Sequence, residues 1–323
     1  MKKNITILAA VFLVLLIILF INRMSDKTVV KANYFIDIDT TKVTKLHFIS
    51  PEKGEVTLSK ASGMWRVVEP IDYLADARNM GQTLSQLMKM EIENLVTGRE
   101  DQKSAYEVDS AGTLIEVYEG GKLLTAFYMG KNAPTYRHTY MRKTDSDDIY
   151  MVKSTFRYQF NRELKDWRDK IIMELNKDDV REMDFRYPDE QFTLQLSDTI
   201  WTLHSDKTEF TADKKLVDRI LNYLSKLRTG DFYNPDSAEA LDWSKPEFSM
   251  KVIALGGNIR TIMIQEKPGE QNQYYLKLDD NPTVFIVYKG TAATLMKKID
   301  DFRVKEEDKE KAPKKPPEMF EGQ

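Results

Sequence analysis

The sequence predicts an α+β protein: an N-terminal transmembrane helix followed by two tandem repeats of about 136 residues, each mostly antiparallel strands with two helices. Three observations carry this. An uncharged apolar run opens the chain, short segments alternating apolar and polar residues are punctuated by glycine and aspartate turns, and the second half repeats the order and spacing of the first.

Residues 5–21, ITILAAVFLVLLIILFI, follow Met-Lys-Lys. At about 1.5 Å per residue they make roughly 25 Å of helix, the short end of what spans a hydrocarbon core. Ile5, Leu8, Phe12, Leu15, Ile18 and Ile21 belong to the expected anchor. A cleaved signal peptide would show small residues before its cut site, and Phe20-Ile21-Asn22-Arg23-Met24 lacks that pattern. Lys2 and Lys3 on one side face Arg23, Lys27 and Lys31 on the other, so charge alone does not orient the span. The large remainder has no second apolar span. The expectation is a cytoplasmic stub at 1–4, a single-pass anchor in the bacterial inner membrane at 5–21, a linker at 22–34, and an extracytoplasmic bulk. Residues 304–323, rich in charge and proline, read as a disordered tail.

Charged residues make up 31% of the chain and aromatic residues 11%, with a formal net charge of -3. That is a globular composition, and both signs are interspersed, so no basic face for nucleic acid is expected. The chain has no cysteine, which excludes disulfides, thiolate chemistry and lipid attachment through an N-terminal cysteine. Stability must come from packed cores.

The repeats occupy 35–175 and 176–303. Val43, Leu46 and Phe48 match Val180, Met183 and Phe185; Trp65 matches Trp201; Ala75-Asp76 matches Ala212-Asp213. Further on, LTAFYMGK lies on RTIMIQEK, setting Thr125 on Thr261 and Lys131 on Lys267, and the match continues through Tyr140 and Tyr275. In each repeat a three-stranded meander comes first, at 43–50, 55–59 and 64–68 in the first copy. A helix follows, with Asp76 or Asp213 as N-cap and Met80, Leu84 and Leu87, or Val217, Leu221 and Leu224, at helical spacing. Four more strands are predicted at 113–119, 122–129, 139–144 and 148–153, turning at Gly120-Gly121 and Asp145-Ser146-Asp147. A closing helix at 156–167, paired with 291–302, carries Phe156, Phe160, Leu164 and Trp167 at core spacing.

The order of an N-terminal membrane helix, W-x-V-x-x-P at 65–70, Ala-Asp before an amphipathic helix, FYMGK, YMR, IYMV and WRDK at 167–170 resembles the bacterial family called domain of unknown function 4340. The resemblance covers nearly the whole chain apart from the tail. It implies an extracytoplasmic accessory protein beside ABC-type transporter subunits, including those of the gliding-associated kind, and brings no catalytic residues with it. Where members commonly show tyrosine, glycine, leucine, aspartate and proline, this chain has Tyr106-Glu107-Val108-Asp109-Ser110, which puts the expected tight turn in question.

Candidate chemistry is sparse. His47, His138 and His204 have neither a second histidine nor carboxylates at metal-ligand spacing, and no G-x-S-x-G or phosphate-binding glycine loop occurs. Gly120-Gly121-Lys122 reads as a hairpin turn. Asp145, Asp147 and Asp148 are the best calcium candidate but lack the sixth-position glycine and twelfth-position glutamate of a calcium loop, and Asp189-Glu190 reads as a turn. No catalytic, cofactor or metal residues are therefore assigned. Tyr136, Arg137, Tyr140 and Arg142 interleave aromatic and basic groups as an interface would. The resulting expectation is a non-enzymatic, membrane-anchored accessory or scaffold protein of a cell-envelope complex, partnered with an ABC-type permease and ATPase. A binding protein for an envelope polymer or lipid is the alternative, and an anchored hydrolase stands third.

Overall fold

The computed structural model describes residues 33–153, 155–233 and 241–304. The anchor residues Ile5, Leu8, Phe12, Leu15, Ile18 and Ile21, and the tail beyond residue 304, lie outside that set. Among the described residues no helix is long and apolar enough to cross a membrane. The chain divides into two compact units, Met1–Arg168 and Asp169–Gln323.

The first unit is one nine-stranded antiparallel sheet. Its strands are β1 (Lys45–Ser50), β2 (Gly54–Ala61), β3 (Met64–Glu69), β4 (Tyr73–Leu74), β5 (Ile92–Thr97), β6 (Thr113–Glu119), β7 (Lys122–Asn132), β8 (His138–Lys143) and β9 (Ile149–Lys153), in the order β4-β3-β2-β1-β6-β7-β8-β9-β5. Strand alternation puts Leu46, Phe48, Leu58, Ile115, Val117 and Phe127 on one face, all at 2% exposure or less. Helix Ala77–Leu87 lays Met80 and Leu87 into that core. Asp76 caps it as expected, its carboxylate accepting from the Asn79 N–H at 2.9 Å. Trp167 then stacks on Phe48, ring centroids 4.9 Å apart.

The second unit comprises β10 (Ile171–Glu174), β11 (Val180–Arg186), β12 (Gln191–Ser197), β13 (Ile200–His204), β14 (Glu209–Thr211), β15 (Lys226–Arg228), β16 (Asp231–Phe232), β17 (Phe248–Ala254), β18 (Ile259–Glu266), β19 (Gln273–Leu278) and β20 (Val284–Tyr288). Nine of these form a sheet in the order β14-β13-β12-β11-β17-β18-β19-β20-β16, the same topology strand for strand. Leu46 faces Leu58 and Val117, as Met183 faces Leu194 and Val252. The Ala75 N–H donates to the Trp65 carbonyl and the Ala212 N–H to that of Trp201. Helix Lys214–Ser225 has Asp213 as its N-cap. The Asp76 N–H meets the Trp167 carbonyl, and the Asp213 N–H that of Phe302, both at 2.8 Å. The repeat read from Trp65, Asp76, Trp201 and Asp213 is a repeat of folds.

Four expectations change in detail. The seven strands per repeat become nine, because a short strand follows the meander and another leaves the long helix for the far edge. The sequence match along β7 slips by one: ladder register sets Phe127 on Ile262 and Thr125 on Arg260, since β7 takes up a residue in a bulge that β18 lacks. The closing helix is broken in both copies, as Arg157–Phe160 and Leu164–Trp167 in one and Lys289–Leu295 and a 3₁₀ turn Ile299–Phe302 in the other. Asn161 and Met296 leave helical geometry at the break, with ψ of 60° and 67°. Phe156, Phe160 and Trp167 still reach the core. Finally, the division falls after Arg168 rather than after residue 175, because β10 pairs with β15 of the second unit.

Candidate functional site

The sheet face opposite the first core gathers a cluster of ionisable groups on β1, β2 and β6. Leu46 and Phe48 point inward, so Lys45, His47 and Ile49 point outward beside outward residues of β2 and β6. His47 Nδ1 lies 2.9 Å from Glu116 Oε2 and its Nε2 lies 2.8 Å from Glu55 Oε1. The Tyr118 hydroxyl donates to Glu116 at 2.7 Å, and the Lys45 ammonium sits 3.8 Å over the Tyr118 ring. Thr57, opposite His47, donates to Glu69 at 2.8 Å. Burial alone would raise the Glu116 carboxyl, but hydrogen bonds from Tyr118 and His47 hold it below its ordinary value. This cluster was hidden in the sequence, because Glu55 and Glu116 reach His47 across two ladders. At the equivalent place in the second unit, Asp184 accepts from Thr193 at 2.8 Å, and a shallow depression of about 200 Å³ is lined by Asp184, Gln191, Thr193 and His204.

The predicted interface set splits. Tyr136 is 76% exposed, with a left-handed φ of 54°, and Arg137 beside it is exposed. Tyr140 is half-buried against Tyr106, centroids 4.6 Å apart, and burial raises its hydroxyl pKa. Arg142 does not belong to a surface. At 6% exposure its guanidinium donates to the carbonyls of Val108, Lys143 and Ser146 and packs 5.0 Å from the Tyr128 ring centroid. Lys103, Tyr106 and Val108 reach this part of the outer face, so outward strand alternation misreads Arg142 as exposed.

The acidic candidates are tied into structure. Asp147 pairs with Lys103 at 2.7 Å, and Asp148 accepts from the Tyr150 hydroxyl at 3.3 Å. Among the described residues no group of three or more histidine or carboxylate side chains is placed to hold a metal. Asp189 and Glu190 lie 3.3 and 3.6 Å from the Lys298 amine, which sits 3.6 Å over the Tyr187 ring. Burial, with Glu190 nearby, pushes the Tyr187 hydroxyl far above its ordinary range, and that hydroxyl donates to the Lys297 carbonyl. The corresponding turn of the first unit is held by Glu52 to Arg157 and Asn161, and by Lys53 to Glu163. In both units, then, the first hairpin is clamped to the break in the closing segment.

The family model Domain of unknown function (DUF4340) matches residues 65–246 and again 201–309, and the second match begins at Trp201, the counterpart of Trp65. The chain belongs to this family. No curated protein and no solved structure matches it. A DUF4340 match that restarts at the equivalent tryptophan agrees with the duplicated sheets.

The turn in question also forms. Glu107 stands where DUF4340 members are expected to carry glycine, and it adopts the left-handed conformation, with φ 57°. Asp109 accepts from the Ser104 hydroxyl and the Ala111 N–H, and these bonds hold its carboxyl below its ordinary value. The backbone of 106–107 presses on two glycines: a Cβ at Gly130 would lie 2.1 Å from the Tyr106 carbonyl oxygen, and one at Gly112 2.1 Å from that of Glu107.

Proposed function

We propose that this DUF4340 protein is a non-enzymatic, membrane-anchored accessory or scaffold component of an extracytoplasmic cell-envelope complex, working beside an ABC-type transporter. The uncharged run at 5–21 ahead of two β-rich units carries the reading, and the resemblance stated above supplies the transporter.

Tyr136 and Arg137 are the proposed partner contact. Tyr158, 78% exposed, is at the same end of the sheet, because the Phe156 N–H donates to Thr139 Oγ1 at the start of β8. By ladder register the second unit has Gln271 and Ala293 where the first has Tyr136 and Tyr158, so the aromatic pair distinguishes the two copies. Exposed tyrosine and arginine are the residue types enriched where protein surfaces meet. Extraction of the full chain from its native membrane in mild detergent should co-purify a permease and an ATPase. Tyr136→Ala with Arg137→Glu should lose them while the protein stays in the membrane fraction. Recovery of the chain alone would reject the accessory reading.

A further inference from the structure

We infer that charge keeps the two units from exchanging their closing segments during folding, because the pair that fastens the first hairpin to the closing segment has opposite polarity in the two copies. The positions are equivalent. Lys53 and Glu190 each stand five residues beyond a buried phenylalanine of matching strands, Phe48 and Phe185. Glu163 and Lys298 each stand four residues before the aromatic residue whose carbonyl accepts from the helix-capping aspartate, Trp167 and Phe302. In the first unit the hairpin contributes the cation at this position, Lys53 Nζ lying 3.0 Å from Glu163 Oε1. In the second the hairpin contributes the anions, and Lys298 Nζ lies 3.3 Å from Asp189 Oδ1 and 3.6 Å from Glu190 Oε2. Both members of the pair have changed sign together within a topology that is the same strand for strand.

Stability alone does not ask for a reversal. Pairs as exposed as these add little to it, and either polarity would add the same. Polarity does decide which segment fits which hairpin. The first closing segment carries Arg157, Glu163 and Lys165 where the second has Ala292, Lys298 and Asp300, while Arg162 and Asp166 keep their sign as Lys297 and Asp301. In its own unit Glu52 lies 3.2 Å from Arg157. After an exchange Asp189 would find Arg157 and Glu52 would find Lys298, so that position does not discriminate. The next one does, because Glu190 would meet Glu163, whose neighbour Lys165 already serves it at 3.1 Å, and Lys53 would meet Lys298.

The neutral contacts agree. The Ser50 hydroxyl donates to Asn161 Oδ1 at 2.6 Å, and Met296, at the same break in the second unit, offers it no amide. An exchanged segment therefore loses a hydrogen bond and gains like charges. Two sheets of one topology in one chain present either segment with two similar seats, the condition under which tandem domains misassemble.

The chain has no cysteine, so one introduced disulfide can report each docking. In the full-length protein, Ser50→Cys with Asn161→Cys marks a hairpin on its own closing segment, and Ser50→Cys with Met296→Cys marks an exchange within or between chains. Each would be unfolded in urea with reductant, refolded in mild detergent and oxidised, and the crosslinked fraction read by gel and peptide mass. Lys53→Glu with Glu163→Lys keeps a pair in the first unit but gives it the second unit's polarity, so the 50–296 crosslink should rise severalfold and the 50–161 crosslink fall. Glu190→Lys with Lys298→Glu gives both units the first polarity and should do the same. All four substitutions together restore opposite polarities and should return both crosslinks to the levels seen with the native charges. A 50–296 fraction that neither double reversal raises would overturn the sorting role. A rise that persists in the fourfold variant would overturn it as well, because loosened clamps, and not their matching sign, would then be the cause.

Discussion

Arg142 and Glu107 show how far a residue's type can stand from its use. Arginine two residues from a tyrosine on a strand suggests a docking surface, yet Arg142 supplies donors to three backbone carbonyls, and removing it leaves those acceptors unsatisfied. Arg142→Met should cost about 1–3 kcal/mol by urea unfolding, and an unchanged midpoint would show that water replaces the guanidinium. Glu107 holds a backbone conformation that costs a non-glycine residue about 1–2 kcal/mol. Glu107→Gly should therefore leave stability unchanged or raise it by up to about 1 kcal/mol once the glycine's greater unfolded freedom is subtracted. Asp109 fixes the sign of an acid effect. Its folded pKa is lowered, chiefly by the Ser104 hydroxyl, so its contribution is present above the ordinary carboxylate range and lost as pH falls through it. Asp109→Asn should flatten the decline of stability between roughly pH 5 and 3, and a wild-type slope in that variant would place the acid sensitivity elsewhere.

At the level of elements, legibility followed the regularity of the backbone. β6 coincides with the predicted 113–119 because its alternation is unbroken, with Thr113, Ile115 and Val117 buried in turn. β5 escaped because two irregularities against β9, between Ile92 and Asn94 and between Leu95 and Thr97, scramble its two-residue period. The closing helix was overextended for the opposite reason. Phe160, Leu164 and Trp167 keep helical spacing across a break at which Asn161 accepts from the Ser50 hydroxyl and donates to Glu52. The hydrophobic period survives because both pieces face one core. Trp167→Ala should accordingly cost about 3–5 kcal/mol, the loss expected when a fully buried aromatic leaves a cavity, and a loss under about 1 kcal/mol would mean that Phe48 has another partner.

For the whole molecule, duplication was the most legible property and the candidate site the least. Order and spacing survive divergence because the same ladder must close twice, and a one-residue slip such as that between β7 and β18 is absorbed by a bulge without disturbing Phe127 or Ile262 in the core. The His47 cluster assembles from three strands whose partners are set by topology, so spacing along the chain could not announce it. Each unit has its own sheet and its own buried aromatic cluster, and residues 33–168 produced alone should unfold cooperatively with a β-rich circular dichroism spectrum. A featureless, non-cooperative melt would show that the first unit needs the second. The bond from the Asp76 N–H to the Trp167 carbonyl, and its copy from Asp213 to Phe302, joins the last turn of each unit to the start of its long helix. A unit that fastens its own end finishes its folding instructions before the next one begins. Such a segment can be copied head to tail in a gene without either copy borrowing chain from its neighbour, and the tandem arrangement of this protein follows from that self-termination.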